Sequence, residues 1–372
     1  MATRNAIGLM SGTSGDGVDV AIIETDGEEI RGLGPTGYRA YRDEERALLR
    51  RAIAAGVDLV DRNARPAPLA EAQAMITMAH AEALERFLSA NGIDPGTVAI
   101  VGFHGQTILH KPQRRLTVQI GDGGALARRL GIPVVHDFRA ADVAAGGEGA
   151  PLVPVFHRAL VQRLAREHPV AVLNLGGVAN ITFIDGEIVI ACDTGPGNAL
   201  IDDFMRARAG EPRDAGGRAA AAGRVDETAV ARVLAHPFFA RRPPKSLDRN
   251  ELRQWVRVQA ALASMTTQDG AATLTAITAA SVARVIGVLP RPPKHWIVAG
   301  GGARNATLMR MLAAWLAPGQ VERADAVGWS ADALEAQAFA YLAARTLRGL
   351  PITFPSTTGV PAPMIGGVIA EP

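Results

Sequence analysis

Five short polar segments carry the residue types that chemistry needs. Ser11-Gly12-Thr13-Ser14-Gly15-Asp16-Gly17, with Asp19 close behind, follows directly on an apolar, strand-like run. Glycines let backbone N–H groups converge on an anion, and the hydroxyls add donors. Acidic residues beside such a loop suit Mg2+, which prefers carboxylates, water and phosphate oxygens. A tight hairpin without a ligand is the alternative. The segment is not a P-loop, because Gly-Lys-Ser/Thr occurs nowhere in the chain. It also misses the nucleophile elbow, since Asp16 stands where that turn requires glycine.

The second segment is Asn174-Leu175-Gly176-Gly177-Val178-Ala179-Asn180, which gains meaning beside the first, because two facing hairpins can hold a polyphosphate. The third, Asp193-Thr194-Gly195-Pro196-Gly197-Asn198, ends an apolar run and puts a carboxylate where a general base is usually placed; capping of the next helix is the competing role. The fourth, Gly300-Gly301-Gly302-Ala303-Arg304-Asn305, runs from strand through glycines into helix, so a flat ring or phosphate can lie against backbone. The fifth pairs His104-Gly105-Gln106-Thr107 with Asp137-Phe138-Arg139, combining neutral donors with a guanidinium, as a hydroxylated acid would require. His104 could equally be a satisfied core histidine. Pro243-Pro244-Lys245-Ser246 reads as an exposed loop, and Cys192 as buried and inert.

These segments need elements to hold them. Residues 6–30 and 170–190 echo one another: apolar run, glycine turn, second apolar run, Asp-Gly turn, third strand-like run. Asp26-Gly27 and Asp185-Gly186 are hairpin signals. The spacing of the two copies implies two related lobes, each opening with an antiparallel meander. Residues 67–90 have helical periodicity with Asn91-Gly92 as C-cap, and 331–347 reads as a helix capped by Ser330. Residues 98–105 and 295–302 are strands running into glycine, so the class is α/β. The Gly/Pro-rich stretch 146–154 is the expected hinge, and the Arg-, Ala- and Pro-rich stretch 205–250 is expected at the surface.

Composition narrows the field further. The 372 residues allow two or three domains, and 48% apolar with 20% charged residues excludes a disordered or fibrous chain. The 39 basic residues, all but three of them arginine, balance 37 acidic ones. Arginines interleave with acids, as in YRDEERALLRR, so no basic face for nucleic acid is expected. One cysteine and no HExxH spacing argue against a zinc site. No signal-peptide core and no apolar run near the bilayer-spanning length is read, which implies a cytoplasmic protein without a membrane partner.

Taken together, MSGTSxDGVD, HGQT, QIGD, DFRxxDxAxGGxGAPLVPxFH, NLGGVANIT, DTGPGN, PPKS, GGGxxN and EAQAFAYLAxRxLxGLP closely resemble the anhydro-N-acetylmuramic acid kinase family of the sugar kinase, Hsp70 and actin superfamily. The resemblance runs in order from residue 7 to about 366. It implies two ribonuclease-H-like lobes with ATP in a cleft between them, residues 1–135 with 345–372 forming the N-terminal lobe and 136–344 the C-terminal lobe. It implies a substrate, 1,6-anhydro-N-acetylmuramic acid from peptidoglycan turnover, and a homodimer. Carried over by motif, Asp193 is the base that activates water. Ser11, Gly12, Thr13, Ser14, Gly15, Asp16, Gly17 and Asp19 form the first phosphate loop, with Asp19 toward Mg2+. Asn174, Gly176, Gly177 and Asn180 form the second loop, and Gly300, Gly301, Gly302 and Asn305 lie near the adenosine. His104, Gln106, Thr107, Arg139 and Glu335 make up the sugar side, with Arg139 the natural partner of the lactyl carboxylate. Two positions depart from the family: Gly15 replaces a larger apolar residue, and Glu148 replaces glutamine.

The rivals are a kinase of another sugar on the same fold, a nucleotide-switch regulator or chaperone, and a two-carboxylate glycosidase. A regulator would add a helix-turn-helix and a chaperone a peptide-binding domain, neither of which is read here. A glycosidase leaves the glycine loops unexplained.

Overall fold

The computed structural model describes residues 4–12, 15–247 and 249–372, the side chains of 249–251 excepted. The chain forms two compact units, Met1–Arg163 with Asp332–Pro372, and Leu164–Ala331. The boundaries therefore lie at 163/164 and 331/332 rather than at 135/136 and 344/345. Packing explains the shift. Helix Pro154–Gln162 and helix Leu334–Leu347 both belong to the first unit, where Phe156 and Tyr341 meet with ring centroids 5.7 Å apart. The expected hinge at 146–154 also lies inside this unit, tied down by Gly149 N–H donating to Asp142 Oδ1 at 2.6 Å and Glu148 N–H to Thr358 O at 2.7 Å.

In the first unit, strands β1 (Arg4–Met10), β2 (Gly17–Thr25) and β3 (Ile30–Ala40) form an antiparallel meander. Strand β4 (Val98–Phe103) joins β1 in parallel, β5 (Gln106–Lys111) and β6 (Leu116–Ile120) make a separate hairpin, and β7 (Val134–His136) adds in parallel to β4. The C-terminal strand Val368–Ala370 closes the edge. Helix Leu334–Leu347 lies directly on this sheet. It can do so because Gly8 and Gly102, opposite one another on β1 and β4, have no side chain: a Cβ at Gly8 would sit 1.8 Å from Ala336 O, and one at Gly102 2.1 Å from Phe339 O.

The second unit repeats the plan with β8 (Val170–Leu175), β9 (Val178–Asp185), β10 (Ile188–Pro196), β11 (His295–Ala299) and β12 (Gln320–Arg323). Its order, β10-β9-β8-β11-β12, reproduces β3-β2-β1-β4-β7, with the same antiparallel meander and parallel pair. The echo in the sequence is thus an echo in topology, and both Asp-Gly turns fall between the second and third strands, with Gly27 at φ 85° and Gly186 at φ 60°.

Three sequence expectations change. Helix Ala67–Asn91 ends at Gly92 as read, but the later helix begins at Leu334 behind Ala333, without a side-chain cap from Ser330. Stretch 205–250 is not all surface: Asp226 caps helix Glu227–Leu234, which turns Val230 and Val233 inward to join Phe238 and Phe239 in a core cluster. One segment, Thr267–Val288, does reach 22 residues and is long and apolar enough to cross a membrane; its most apolar 18-residue stretch has mean hydropathy 1.6 and is 72% buried, so its apolarity serves the core.

Candidate functional site

The end of β1 and the start of β2 carry the first glycine loop. Thr13 and Ser14 lie outside the described residues. Around them, Ser11 is fully buried and its hydroxyl donates to Gln106 Oε1 at 2.5 Å, while Gln106 Nε2 donates to Gly12 O at 3.1 Å. Ser11 Oγ also meets Tyr41 OH at 2.8 Å, and Tyr41 N–H donates to Asp16 O at 2.8 Å. Ser11 and Gln106 therefore brace the loop from beneath. Gly15 takes φ 63°, which a larger residue would adopt only under strain.

Asp19 pairs with Met10 at the mouth of this hairpin. Burial, then the like charges of Asp16, Glu335 and Asp332, raises its pKa to about 6. A carboxylate in that position gains by meeting a cation. Among the described residues no three His, Cys, Asp or Glu side chains converge to hold a metal by themselves. This donor set fits Mg2+ in its usual form, held by one or two carboxylates while phosphate oxygens and water complete the shell.

Arg139 ends the turn after β7. Its Nη1 donates to Gly149 O at 2.8 Å and its Nη2 to His104 Nε2 at 3.1 Å. Desolvation lowers the guanidinium to a pKa of about 10, opposed by Glu335 and Asp142. His104 is buried, and desolvation followed by the Arg139 charge depresses it to about 3, so the ring is neutral. Nδ1–H donates to Gly105 O at 2.9 Å, leaving Nε2 as the acceptor for Arg139. His104 is thus both a core histidine and the residue that orients Arg139. Glu335 has a solvent-exposed side chain, yet enough protein surrounds its carboxyl for desolvation to raise its pKa against the opposing pull of Arg139. Thr107 Oγ1 accepts from Gln119 Nε2 at 3.3 Å. Arg139 and Glu335, expected in the C-terminal lobe, lie in the first unit with His104, Gln106, Thr107 and Asp19.

In the second unit Asn174 and Asn180 face each other across the β8–β9 turn, with Gly176 and Gly177 at its tip. Asn198 N–H donates to Gly176 O at 2.8 Å and its Nδ2 to Leu175 O at 3.0 Å. Gly300 has φ 80°, and a Cβ there would meet Asn174 Oδ1 at 2.5 Å. Asn305 Oδ1 caps helix Ala306–Trp315 through Leu308 N–H at 2.9 Å. Gly301 and Asn305, with Asn198, Asp202, Asp214 and Arg304, line a cavity of about 220 Å³. Of its walls, Asp202 and Asp214 had no signal in the sequence beyond ordinary polarity.

Asp193 sits on β10 beside a register shift that reaches Gly195. It does not cap the next helix, whose N-cap is Asn198. Its N–H donates to Lys245 O at 3.0 Å, and Leu247 N–H donates to its Oδ2 at 2.8 Å. The Pro243–Ser246 turn is therefore not a free loop: Lys245 O holds the Asp193 backbone, and Leu247, just after the turn, holds its carboxylate. Lys245 is buried (7% exposed), its Nζ donating to Phe238 O at 3.1 Å and lying 4.6 Å from the Phe238 ring. Cys192 is buried as expected, and burial pushes its thiol up to about 12.

A duplicated five-strand plan, with glycine loops and carboxylates at the strand ends, defines an α/β protein built of two topologically related units. A family model described as Anhydro-N-acetylmuramic acid kinase matches residues 4–372. Proteins named anhydro-N-acetylmuramic acid kinase from Rhodopseudomonas palustris (strain BisB18) and Nitrobacter winogradskyi are 62% and 60% identical over 368 residues, covering 99% of this chain and 100% and 99% of theirs. The chain belongs to the anhydro-N-acetylmuramic acid kinase family. Among solved structures it is similar to a ROK family glucokinase from Streptomyces griseus in complex with glucose and AMPPNP, at TM-score 0.40 and 15% identity over 91% of this chain and 99% of that one.

Proposed function

We propose that this kinase uses ATP and water to convert 1,6-anhydro-N-acetylmuramic acid to N-acetylmuramic acid 6-phosphate in the cytoplasm, as a step of peptidoglycan recycling. Asp193 takes a proton from water, whose oxygen bonds to the anomeric carbon as the bond from that carbon to O6 breaks. O6 then takes the γ-phosphoryl group and ADP leaves. Leu247 N–H holds the Asp193 carboxylate in place for this step. Glycines 12, 15, 17, 176 and 177 present backbone donors to phosphate oxygens, Thr13, Ser14, Asn174 and Asn180 add side chains, and Gly300, Gly301, Gly302 and Asn305 flank the adenosine. Asp19 would hold Mg2+, which when bound neutralises phosphate charge. Thr107 and Glu335 meet the sugar, and His104 orients Arg139. A homodimer is expected, and light scattering that returns the single-chain mass of 38.9 kDa would remove that expectation.

The observation that carries this reading is the desolvated Arg139, held by neutral His104 and Gly149 O within reach of the charges of Glu335 and Asp142. A fixed, poorly hydrated guanidinium suits a carboxylate, which glucose and N-acetylglucosamine lack and the lactyl group supplies. The test is ADP release with the anhydro sugar against glucose, N-acetylglucosamine and acetate, with mass detection of the product. The expected product has gained one water and one phosphoryl group; a product lacking either overturns the reading. Asp193→Asn should bind ATP normally and lose about 10²–10⁴-fold in kcat, the usual worth of a general base. Near-normal phosphorylation by that variant removes Asp193 from the role.

A further inference from the structure

Strand β7 ends at His136, and the next residues decide where the Arg139 guanidinium lies. Asp137 has φ 57°, a left-handed conformation that few residues other than glycine adopt and that Asp and Asn tolerate best. The reversal sends Phe138 into the core, 2% exposed with its ring 5.2 Å from that of Phe339, and releases Arg139 immediately ahead of helix Ala140–Ala144. The Asp137 carboxylate is itself tethered. Its Oδ2 accepts a charge-assisted hydrogen bond from Arg62 Nη2, while Oδ1 is buried without a hydrogen-bond partner.

Arg62 belongs to the connection between helix Asp43–Gly56 and helix Ala67–Asn91. That connection is stiff: Arg65 Nη1 donates to Arg62 O at 2.8 Å, and Arg65 Nε donates to Gln73 Oε1 on the long helix at 2.7 Å. A strained backbone residue two positions from a binding arginine, pinned by a charge from another layer, is the pattern of stored positioning. The charge of Asp137 is not what acts on Arg139, because the carboxylates that influence the guanidinium are Glu335 and Asp142. The action runs through the backbone.

We propose that Arg62 and Asp137 are positioning residues, a tether that fixes Arg139 against the carboxylate of an acidic sugar and so sets selectivity for the acid. This rests on the assignment of Arg139 to that carboxylate. Neither residue touches the substrate. Without Arg62, a half-buried carboxylate in a costly conformation loses its hydrogen-bonded charge, with only the more distant charge of Arg65 left beside it, and the turn relaxes.

The experiment is steady-state kinetics with separate titration of sugar and ATP. Arg62→Ala alters a half-exposed side chain and spares the core. It should raise KM for the acidic sugar about threefold to tenfold, the scale of one lost ion pair, with kcat and the KM for ATP little changed. Asp137→Ala, which keeps the strain and loses the tether, should have the larger effect. Asp137→Gly should fall between, and Asp137→Asn, able to accept from Arg62 and to sit at positive φ, should recover most of the loss. Adding Arg62→Ala to Asp137→Ala should cost nothing more. An unchanged sugar KM in Arg62→Ala overturns the tether, as does an equal loss in kcat or in ATP KM. Arg139→Lys is the separate control: if it leaves the sugar KM unchanged, the assignment of Arg139 fails, whatever the tether does.

Discussion

The eight histidines include three whose rings are sealed from water. His80 is 0% exposed and desolvation depresses it to about 4; His157 behaves alike, and His104 falls to about 3. Folding therefore binds these rings neutral, while the unfolded chain would protonate them below about pH 6.5. Each contributes stability that is fully present above pH 6.5 and is lost as pH falls toward its folded value, at up to about 1.4 kcal/mol per pH unit. Asp19, raised to about 6, opposes this, because its folded form prefers the proton and loses stability as pH rises from 3.8 toward 6. Bulk melting mixes the two signs, so the clean measurement is proton NMR of the imidazole Cε1–H resonances. His80, His104 and His157 should show no midpoint above about pH 5, whereas an ordinary exposed histidine titrates near 6.5. A midpoint near 6.5 for His104 would mean that Nε2 is not committed to Arg139. The sequence left His104 open between core and ligand because both demand burial beside a polar partner; only the tautomer, set by Gly105 O, separates them.

At the scale of elements, the sequence was most informative wherever glycine stood between apolar runs. Both hairpins, both Asp-Gly turns and the strand ends beside Gly12, Gly176 and Gly300 formed as read, since backbone conformation there depends on local residue type. It was least informative where an element's role is decided by what packs on it. Pro243–Ser246 looked like a free turn, because nothing local says that Lys245 will be buried on Phe238 or that Leu247 N–H will reach Asp193. Gly8 and Gly102 belong to the same category: as isolated glycines in strands they are unremarked, but together they form the seat of helix Leu334–Leu347. Alanine at either would drive a methyl into a helix carbonyl, so the helix must lift from the sheet. Gly8→Ala and Gly102→Ala should each cost at least about 1–3 kcal/mol, the range for overpacking a filled core, read as a lowered urea midpoint. A midpoint equal to that of the unchanged protein would show that the helix is not seated on these residues.

The whole molecule is organised by a segment that returns. The sequence suggested duplication and a discontinuous first lobe, yet misplaced the crossings, because position along the chain says little about which sheet an apolar helix will cover. Helix Leu334–Leu347 is buried over nearly its full length, Leu334, Phe339, Tyr341 and Leu342 included, with Glu335 and Leu347 its exposed exceptions. A mostly apolar helix can satisfy several partners, and only tertiary packing selects one. That choice has a measurable consequence. Removing 332–372 from the first unit would strip the face of β1 and β4, and each large side chain lost from such a core withdraws about 1.5–3 kcal/mol. Four of them together match the 5–15 kcal/mol by which an ordinary domain is stable. Residues 164–331, by contrast, are contiguous and contain both of their core clusters, one around Phe204, Phe239 and Ile277 and one around Phe183, Trp296 and Leu312. Fragment 164–331 should therefore give a cooperative thermal transition on its own, while fragment 1–163 should give none until 332–372 is fused behind it through a flexible linker. A cooperative transition from 1–163 alone would show that the returning helix covers the sheet without being required for it.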